Sequence, residues 1–229
     1  MTYIKNKNLF IQFINPPQES VVDDRLDPPL GLISIATNLS QNGYENIIIN
    51  DLCGKEIKSE NIGYADIYGI TTYTPTISSV KKIAFLCKEK NEKCIIICGG
   101  VHAMLAPDSL LNDPNIDCVV TGFGEEVIFE IINDYPNVKK NYHGIITDYD
   151  KLPHPNRDFV DLNSYSRLIN NAPSCSVQTS IGCPYSCNFC LEHTFLNKVL
   201  SKSPINVLAE IANIKWKYKI SNFMFYDDI

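Results

Sequence analysis

The chain has 229 residues, of which 45% are hydrophobic and 20% charged, and its net charge is −6. This length allows one large domain, or one domain and part of another, with a substantial buried core. The acidic balance argues against a generic nucleic-acid or anionic-membrane surface. No run approaches the roughly 20 apolar residues that span a bilayer, and the N-terminus lacks a signal-peptide pattern. We therefore expect a cytoplasmic protein.

Five short, nearly continuous apolar runs lie in the region before residue 136. Such runs are typical of parallel strands that are covered on both faces. The predicted strands are residues 9–15, 47–51, 66–71, 94–100 and 117–122. Apolar residues at helical spacing separate them, and Glu125 and Glu126 suit the first turn of a helix after the fifth strand. We predict a doubly wound, five-stranded parallel α/β sheet.

The segments that follow the predicted strands form the expected ligand-binding edge, because ligands of open α/β sheets lie beyond the carboxyl ends of the strands. These segments are NPPQES after strand one, TTYTPT after strand three, GGVHA after strand four and GFGEE after strand five. Neither G-x-G-x-x-G nor G-x-x-x-x-G-K-[ST] occurs in the chain. A nicotinamide or nucleoside-triphosphate site is therefore not predicted.

Residues 136–174 are rich in Pro, Asn and Asp and show no sustained hydrophobic period. We predict a connector between two modules there. His143 and His154 lie in this segment, and we interpret both as solvated loop residues rather than ligands.

A second α/β pattern begins at residue 175. It consists of a strand over 175–182, a loop, a helix from Ser203-Pro204 to about Lys219, and a strand over 223–226. The helix is predicted to turn Leu208, Ile211 and Ala212 inward. Strand, loop, helix and strand open a parallel α/β domain but cannot close a barrel.

The nine cysteines fall into two groups. In a cytoplasmic protein they are not expected to form a disulfide framework, because that compartment keeps thiols reduced. Six are scattered through the sequence, most of them in apolar segments, and we predict small buried side chains at these positions. They are Cys53, Cys87, Cys94, Cys98, Cys118 and Cys175.

The other three cysteines, Cys183, Cys187 and Cys190, lie within eight residues. This spacing, straight after a strand, can bring three sulfurs to one point. An iron–sulfur cluster held by three thiolates leaves one iron open to an outside ligand. A zinc site takes four ligands, and His193 could complete a Cys3His set, although structural zinc sites usually use separated cysteine pairs. A cysteine-rich turn without a metal is the third reading.

The sequence Cys183-x3-Cys187-x2-Cys190, with Phe189 before the third cysteine, resembles the signature of the radical S-adenosylmethionine (radical SAM) enzymes. The resemblance implies a [4Fe–4S] cluster whose unique iron binds SAM. It also implies reductive cleavage of SAM to methionine and a 5′-deoxyadenosyl radical, with an electron donor such as flavodoxin or ferredoxin. Phe189 would then lie near the adenine, and His193 matches no ligand of the motif.

Residues 28–44, 99–131 and 150–165 are similar to the cobalamin (B12)-binding domain and connector of the B12-dependent radical SAM enzymes, and residues 203–228 to a helix and strand of their core. The resemblance implies a Rossmann-like cobalamin-binding domain at 1–135, a connector at 136–174, and the truncated start of a radical SAM (β/α) partial barrel at 175–229. It places cobalamin at the strand ends. The implied contacts are Thr71, Thr72, Thr74, Gly99, Gly100, Val101, His102, Gly122, Phe123, Gly124 and Glu125.

The chain departs from this pattern in two places. The cobalt-ligating sequence Asp-x-His-x-x-Gly is absent, and His102 does not replace it, so the lower axial position would be empty, water-filled or filled otherwise. The later strands of the superfamily, with further SAM contacts, are also absent, so we expect the N-terminal portion of a longer enzyme. Asp227 and Asp228 either contact SAM or substrate, or belong to a frayed terminus.

Two classes of function follow. The first is a B12-binding radical SAM enzyme, by resemblance often a methyltransferase acting on an unactivated carbon of an unknown substrate. The second is a catalytically silent module that holds cobalamin or a partner protein. Formation of 5′-deoxyadenosine under strong reductant would separate the two. The sequence identifies neither the substrate nor the oligomeric state.

Overall fold

The computed structural model describes residues 6–18, 20–190, 196 and 198–229. The chain folds into two compact units. The first unit comprises Met1–Arg25, Pro29–Ile146 and Pro155–Asp161, and the second comprises Leu26–Pro28, Thr147–His154 and Leu162–Ile229. Within the described residues, no helix is long and apolar enough to cross a membrane.

The first unit is built on a six-stranded parallel sheet with strand order β2-β1-β3-β4-β5-β6. Its strands are β1 (Ile11–Asn15), β2 (Ile47–Asp51), β3 (Ile67–Thr71), β4 (Ile95–Gly99), β5 (Cys118–Gly122) and β6 (Asn141–Gly144). Its helices are α1 (Leu30–Gln41), α2 (Ile77–Lys90), α3 (Val101–Leu105), α4 (Pro107–Leu111) and α5 (Gly124–Asp134). The five predicted strands are thus confirmed, and the sheet is doubly wound.

Alternating side chains of the strands divide the core into two layers. Ile11 and Phe13 of β1 pack with apolar residues of α1 and α5, whereas Ile14 packs on the other face with residues of α2 and α4. All three are almost fully buried. Burial of each such side chain contributes roughly 1.5–3 kcal/mol. Because helices cover both faces of the sheet, the strand sequences are almost continuously apolar. The strands were therefore predictable from the sequence.

The sixth strand, β6, corrects the prediction of five strands. It lies in the segment predicted as a connector and pairs in parallel with β5, where Thr121 stands opposite His143. The strand has four residues, of which only Tyr142 and Gly144 are buried, so its hydrophobic signal is too weak to read. His143 is accordingly an exposed strand residue rather than a loop residue.

The second unit contains the predicted strand, loop, helix and strand. Its elements are β7 (Leu168–Ile169), β8 (Ala172–Val177), β9 (Ser180–Ile181), β10 (Leu200–Ser201), α6 (Pro204–Tyr218) and β11 (Asn222–Phe225). Strand β8 lies between β7, which is antiparallel to it, and β11, which is parallel. Strands β9 and β10 form a separate antiparallel pair. Val177 of β8 packs with Ile214 of α6 in a small core.

The predicted inward face of α6 is wrong. Leu208 is 64% exposed, Ala212 is exposed and Ile211 is half-buried. The buried residues of the helix are Glu210 and Ile214. Hydrophobic periodicity could not reveal this orientation, because the buried Glu210 is compensated by a partner elsewhere in the sequence, Lys202, at 2.8 Å.

Close packing between β6 and the end of β5 yields a stability prediction. A Cβ atom on Gly144 would lie 1.6 Å from the carbonyl oxygen of Phe123, so Gly144→Ala forces the backbone apart. We expect a loss of about 1–3 kcal/mol or more in the free energy of unfolding, measured by urea denaturation followed by circular dichroism. Gly31→Ala is the matched control, because a Cβ at Gly31 meets no atom within 4 Å. Equal stability of Gly144→Ala and the wild type would contradict this packing.

Candidate functional site

The carboxyl edge of the sheet in the first unit contains the topological switch point. The chain passes from β1 outward to β2 and then returns to the other side of β1 as β3. Ligands of such sheets bind where the connections diverge. The segments that follow β1, β3, β4 and β5 therefore form the candidate cofactor edge, as predicted from the sequence.

The hydroxyl of Thr72, in the segment after β3, forms hydrogen bonds with other groups of the protein. The side chain of Thr72 is buried. The hydroxyl donates to the carbonyl oxygen of Gly99 at 2.7 Å and accepts from the backbone N–H of Ala103 at 3.3 Å. This residue therefore joins the end of β3 to the start of α3, and its hydroxyl is not presented to a ligand.

His102 is likewise bonded on both ring nitrogens. Its Nδ1 lies 3.0 Å from the Thr74 hydroxyl and its Nε2 lies 2.8 Å from the Ser109 hydroxyl. Because Ser109 donates its proton to the carbonyl oxygen of Ala106, Ser109 must accept from Nε2–H. In the neutral imidazole, Nδ1 then accepts from Thr74. The imidazole, which is buried, thus ties the segment after β3 to α3 and α4. Neither nitrogen is available as a metal ligand in this arrangement.

Three of the edge glycines are explained by packing within the protein. Gly100 has φ +105°, and a Cβ there would lie 2.9 Å from the Thr72 carbonyl oxygen. Gly122 has φ +79°, and its Cβ would lie 2.2 Å from the carbonyl oxygen of Gly144. A Cβ on Gly124 would lie 2.4 Å from Cδ1 of Ile35. Close approach of a ligand is therefore not needed to account for these glycines. Gly99 differs, because its nearest neighbours are at ordinary contact distance.

Exposed apolar side chains lie along the same edge. Tyr73, Val101 and Leu105 are 45%, 44% and 41% exposed, and they follow β3 and β4. Thr71 and Phe123 are half-buried, and Thr74 is exposed. A surface with apolar side chains and a few hydroxyls is typical of small-molecule and cofactor sites.

Glu125 occupies the first turn of α5. Burial raises the pKa of its carboxyl, and hydrogen bonds from the Ser34 side chain and from the backbone of Gly124 and Glu125 oppose that effect without cancelling it. The backbone carbonyl of Glu125 also accepts from the Asn38 side chain at 2.7 Å. Glu125 therefore fastens the start of α5 to α1.

Sequence reasoning missed a polar cluster at the ends of β1 and β2. The buried carboxylate of Asp51 accepts from the Asn15 side chain at 3.0 Å and from the backbone N–H of Cys53 at 3.1 Å. Arg25 donates to the carbonyl oxygen of Cys53 at 2.9 Å. The cluster could have been predicted from one feature of the sequence: Asn15 and Asp51 are polar residues at the ends of apolar strands. Their hydrogen bond ties the end of β1, which borders the switch point, to the end of β2.

The six scattered cysteines are buried, as predicted. None of the nine cysteines, all of which lie in the described part of the chain, forms a disulfide. Burial raises the pKa of Cys94 to about 11 and that of Cys118 to about 12, and it raises the pKa of Cys53, Cys87 and Cys98 further. These thiols therefore stay protonated at neutral pH in this arrangement.

The second unit places the other three cysteines in the loop between β9 and β10. Cys183 is buried, Cys187 is exposed and Cys190 is half-buried. The backbone N–H of Cys190 donates to the carbonyl oxygen of Cys187 at 3.0 Å, which closes a turn. Phe189, the expected adenine contact, is 92% exposed. His193 lies outside the described residues.

The expected convergence of the three sulfurs on one point is not seen. Across residues 6–18, 20–190, 196 and 198–229, no three Cys, His, Asp or Glu side chains surround a position where one metal ion could be held. In a four-iron cube each thiolate binds a different iron. Because metal binding is coupled to local folding, a cluster contributes to the final arrangement of its own ligand loop.

The base of this loop is held by residues from outside it. Asp227 and Asp228, which follow β11 after Tyr226, accept hydrogen bonds from the backbone of Thr179, Ser180 and Gly182. They are therefore bonded to the loop base rather than frayed. On the return side, Lys202 forms a buried ion pair with Glu210 at 2.8 Å.

The start of α6 is fixed by Asp150 from the predicted connector. Its Oδ1 accepts from the backbone N–H and hydroxyl of Ser203 and from the side chain of Asn206. The bonds from Asn206 and Ser203 lower the pKa of Asp150. His154, predicted to be solvated, is half-buried and contacts Asn206 through Nε2. The segment before the second unit's sheet is thus attached to α6 and is not a bare linker.

Comparisons with known proteins concern both parts of the chain. Residues 26–132 match the family model of the B12 binding domain. An uncharacterized methyltransferase of Pyrococcus horikoshii is 26% identical over 252 residues, covering 97% of this chain and 54% of the relative. An anaerobic magnesium-protoporphyrin IX monomethyl ester cyclase of Rubrivivax gelatinosus is 23% identical, covering 88% of this chain and 41% of the relative. The chain therefore spans about half the length of the curated relatives it matches.

A solved structure shares the fold. It is that of the cobalamin-dependent S-adenosylmethionine radical enzyme OxsB with aqua-cobalamin and S-adenosylmethionine bound. The TM-score is 0.75 at 18% identity, and the match covers 96% of this chain and 34% of OxsB. At this identity the likeness concerns the fold alone.

The raised pKa of Glu125 predicts a pH-dependent stability. A carboxyl whose pKa is raised on folding stabilises the fold most below its unfolded pKa of about 4.3, and this contribution is lost as the pH rises through the folded pKa. Glu125→Gln should therefore raise the thermal unfolding midpoint at about pH 8, with the gain disappearing toward about pH 4.

Glu126→Gln is the matched control for this measurement, because Glu126 is the exposed neighbour in the same helical turn. A smaller pH-dependent gain is expected for it, because the charge of Glu126 adds to the rise in the pKa of Glu125. A Glu125→Gln midpoint below that of the wild type at alkaline pH would show that the hydrogen bonds outweigh burial.

Proposed function

Because residues 26–132 match the family model of the B12 binding domain, we propose that this protein works as a cobalamin-binding radical SAM enzyme. The first unit would bind cobalamin at the carboxyl edge of its sheet. The second would hold a [4Fe–4S] cluster and SAM at the cysteine loop. The observation that carries the proposal is the presence, in one chain, of a region that matches this family model and of Cys183, Cys187 and Cys190 in a single short loop.

The residues present at the first edge fit a corrin. Tyr73, Val101 and Leu105 offer exposed apolar surface, and Thr71 and Thr74 bring hydroxyls to the same edge. Both nitrogens of His102 are bonded within the protein, so His102 would support the binding surface rather than ligate cobalt. When bound, cobalamin supplies a cobalt centre that can carry a methyl group.

The donor set of the cysteine loop fits a cluster with one open iron. Three thiols lie in the loop, and six buried cysteines elsewhere remain protonated or packed in the cores. When bound, a [4Fe–4S] cluster supplies the electron that cleaves SAM. Cys183, Cys187 and Cys190 would hold it, and Phe189 is exposed in the same loop, where it can contact the adenine of SAM.

The reaction we propose is methyl transfer to an unactivated carbon, with an electron supplied by a flavodoxin or ferredoxin. The name of the Pyrococcus relative supports methyl transfer. The Rubrivivax relative is named a cyclase, so a ring-closing reaction on another substrate is the alternative outcome.

The cluster assignment predicts the metal content of the purified protein. After anaerobic purification or reconstitution we expect about four iron and four sulfide per chain and a broad absorbance in the visible region. Cys187→Ala should lose most of both. Cys87→Ala, which changes a buried cysteine of α2, is the matched control and should keep them. Unchanged iron in Cys187→Ala, or one zinc per chain and no sulfide in the wild type, would contradict the assignment.

The cobalamin assignment predicts an effect of charge at the sheet edge. Val101→Glu places a carboxylate on the exposed apolar surface after β4 and should weaken binding of hydroxocobalamin by roughly tenfold or more, because the charge must be desolvated. Equilibrium dialysis measures the dissociation constant. Phe85→Glu is the matched control, since Phe85 is an exposed apolar residue of α2. Equal affinities of both variants, or no binding by the wild type, would reject this site.

A further inference from the structure

Two adjacent carboxylates hold the backbone that leads into the cysteine loop. Asp227 Oδ1 accepts from the backbone N–H groups of Thr179 and Ser180 at 2.7 and 2.9 Å. Its Oδ2 accepts from the Thr179 hydroxyl. Asp228 Oδ2 accepts from the backbone N–H of Gly182 at 2.6 Å, directly before Cys183.

This arrangement continues the pairing of β8 with β11. In that parallel pair Phe225 stands opposite Val177, and the N–H of Tyr226 donates to the Val177 carbonyl oxygen at 2.9 Å. Two residues further along, the side chain of Asp227 takes over as the acceptor for the N–H groups of Thr179 and Ser180. The strand end therefore holds the loop base through charge-assisted hydrogen bonds, which are stronger than neutral ones.

Four backbone donors on the incoming side of the loop base are bonded within the protein. The N–H of Cys183 donates to the carbonyl oxygen of Leu196 at 3.3 Å. Gly182 has φ +84°, and a Cβ there would lie 2.2 Å from the Lys198 carbonyl oxygen. The N–H groups of Thr179, Ser180, Gly182 and Cys183 are thus bonded to protein oxygens and do not point to a ligand of the loop.

Backbone donors and nearby charge decide the reduction potential of an iron–sulfur cluster. Hydrogen bonds to its sulfurs and positive charge raise the potential, and negative charge lowers it. Here the amides of Thr179, Ser180 and Gly182 are bound to carboxylates, so they cannot donate to cluster sulfur. The two carboxylates also bring negative charge to the segment that leads into Cys183.

We propose that Asp227 and Asp228 are positioning residues that fix the backbone of Cys183 and keep the potential of a cluster bound in this loop low. A low potential suits a cluster whose electron must reduce a sulfonium ion. The inference rests on the proposed function, because it concerns the same loop and cluster.

The test compares reduction midpoint potentials in dye-mediated anaerobic titrations of the reconstituted chain. Asp227→Asn removes one negative charge at nearly constant shape. At a fixed potential near the midpoint, its ratio of reduced to oxidised cluster should rise by a few-fold to roughly tenfold. Thr179→Val keeps the charge and removes one donor, so its potential should shift in the opposite, more negative direction.

Asp148→Asn is the matched charge control, because Asp148 is 43% exposed and bonded within its own turn and to Lys151. Its potential should equal that of the wild type. Midpoint potentials that shift in opposite directions in Asp227→Asn and Thr179→Val support the inference. A loss of loop order alone would shift both potentials in the same direction.

The inference is overturned if the midpoint potentials of both variants shift in the same direction, or do not shift, while their iron and sulfide contents equal those of the wild type. Should Asp227→Asn hold no cluster, the sign of the shift in Thr179→Val decides, and a positive or absent shift rejects the proposal. A wild-type chain without iron and sulfide would instead reject the proposed function itself.

Discussion

The cysteine loop depends on hydrogen bonds at its base. Strands β9 and β10 pair over only two residues each, and a ladder this short is marginal by itself. Asp227 and Asp228 hold the incoming side, and the buried pair of Lys202 and Glu210 holds the outgoing side. Removing one partner of a buried pair typically costs about 3–5 kcal/mol. The loop is therefore attached to α6 and β11, the two elements that follow β10 in sequence.

The sheet edge of the first unit is organised in a different way. Its glycines permit close packing of backbone segments, and Thr72 and His102 hold these segments with hydrogen bonds within the protein. The side chains that are accessible to a ligand at this edge are chiefly the exposed apolar residues after β3 and β4. The pre-formed part of the edge is thus polar and internal, whereas its outer surface is apolar.

The sequence predicted the sheet well because buried parallel strands are continuously apolar. It missed β6, whose four residues bury only alternate side chains, and it assigned the wrong face to α6, where the buried charge of Glu210 is paired with a residue eight positions away. Hydrophobic periodicity is evaluated within one segment of the sequence. It cannot reveal that a charged residue of a helix is buried because it forms an ion pair with a residue outside that helix.

The candidate site was predictable to a similar extent. The spacing of Cys183, Cys187 and Cys190 singled them out, and the strand-end rule located the edge segments. The roles within those segments were not predictable. Whether a threonine or histidine faces a ligand or bonds to its own chain depends on neighbours such as Ser109 and Gly99. Likewise, only the register of β8 with β11 shows that Asp227 meets the loop base.

The central claim is that the three thiols hold a four-iron cluster with one iron open to SAM. Electron paramagnetic resonance of the anaerobically reduced protein, recorded with and without SAM, tests it most directly. The account predicts a reduced-cluster signal whose shape changes when SAM is added, because SAM would bind the open iron. A signal that SAM leaves unchanged, or no cluster signal from fully reconstituted protein, would contradict it.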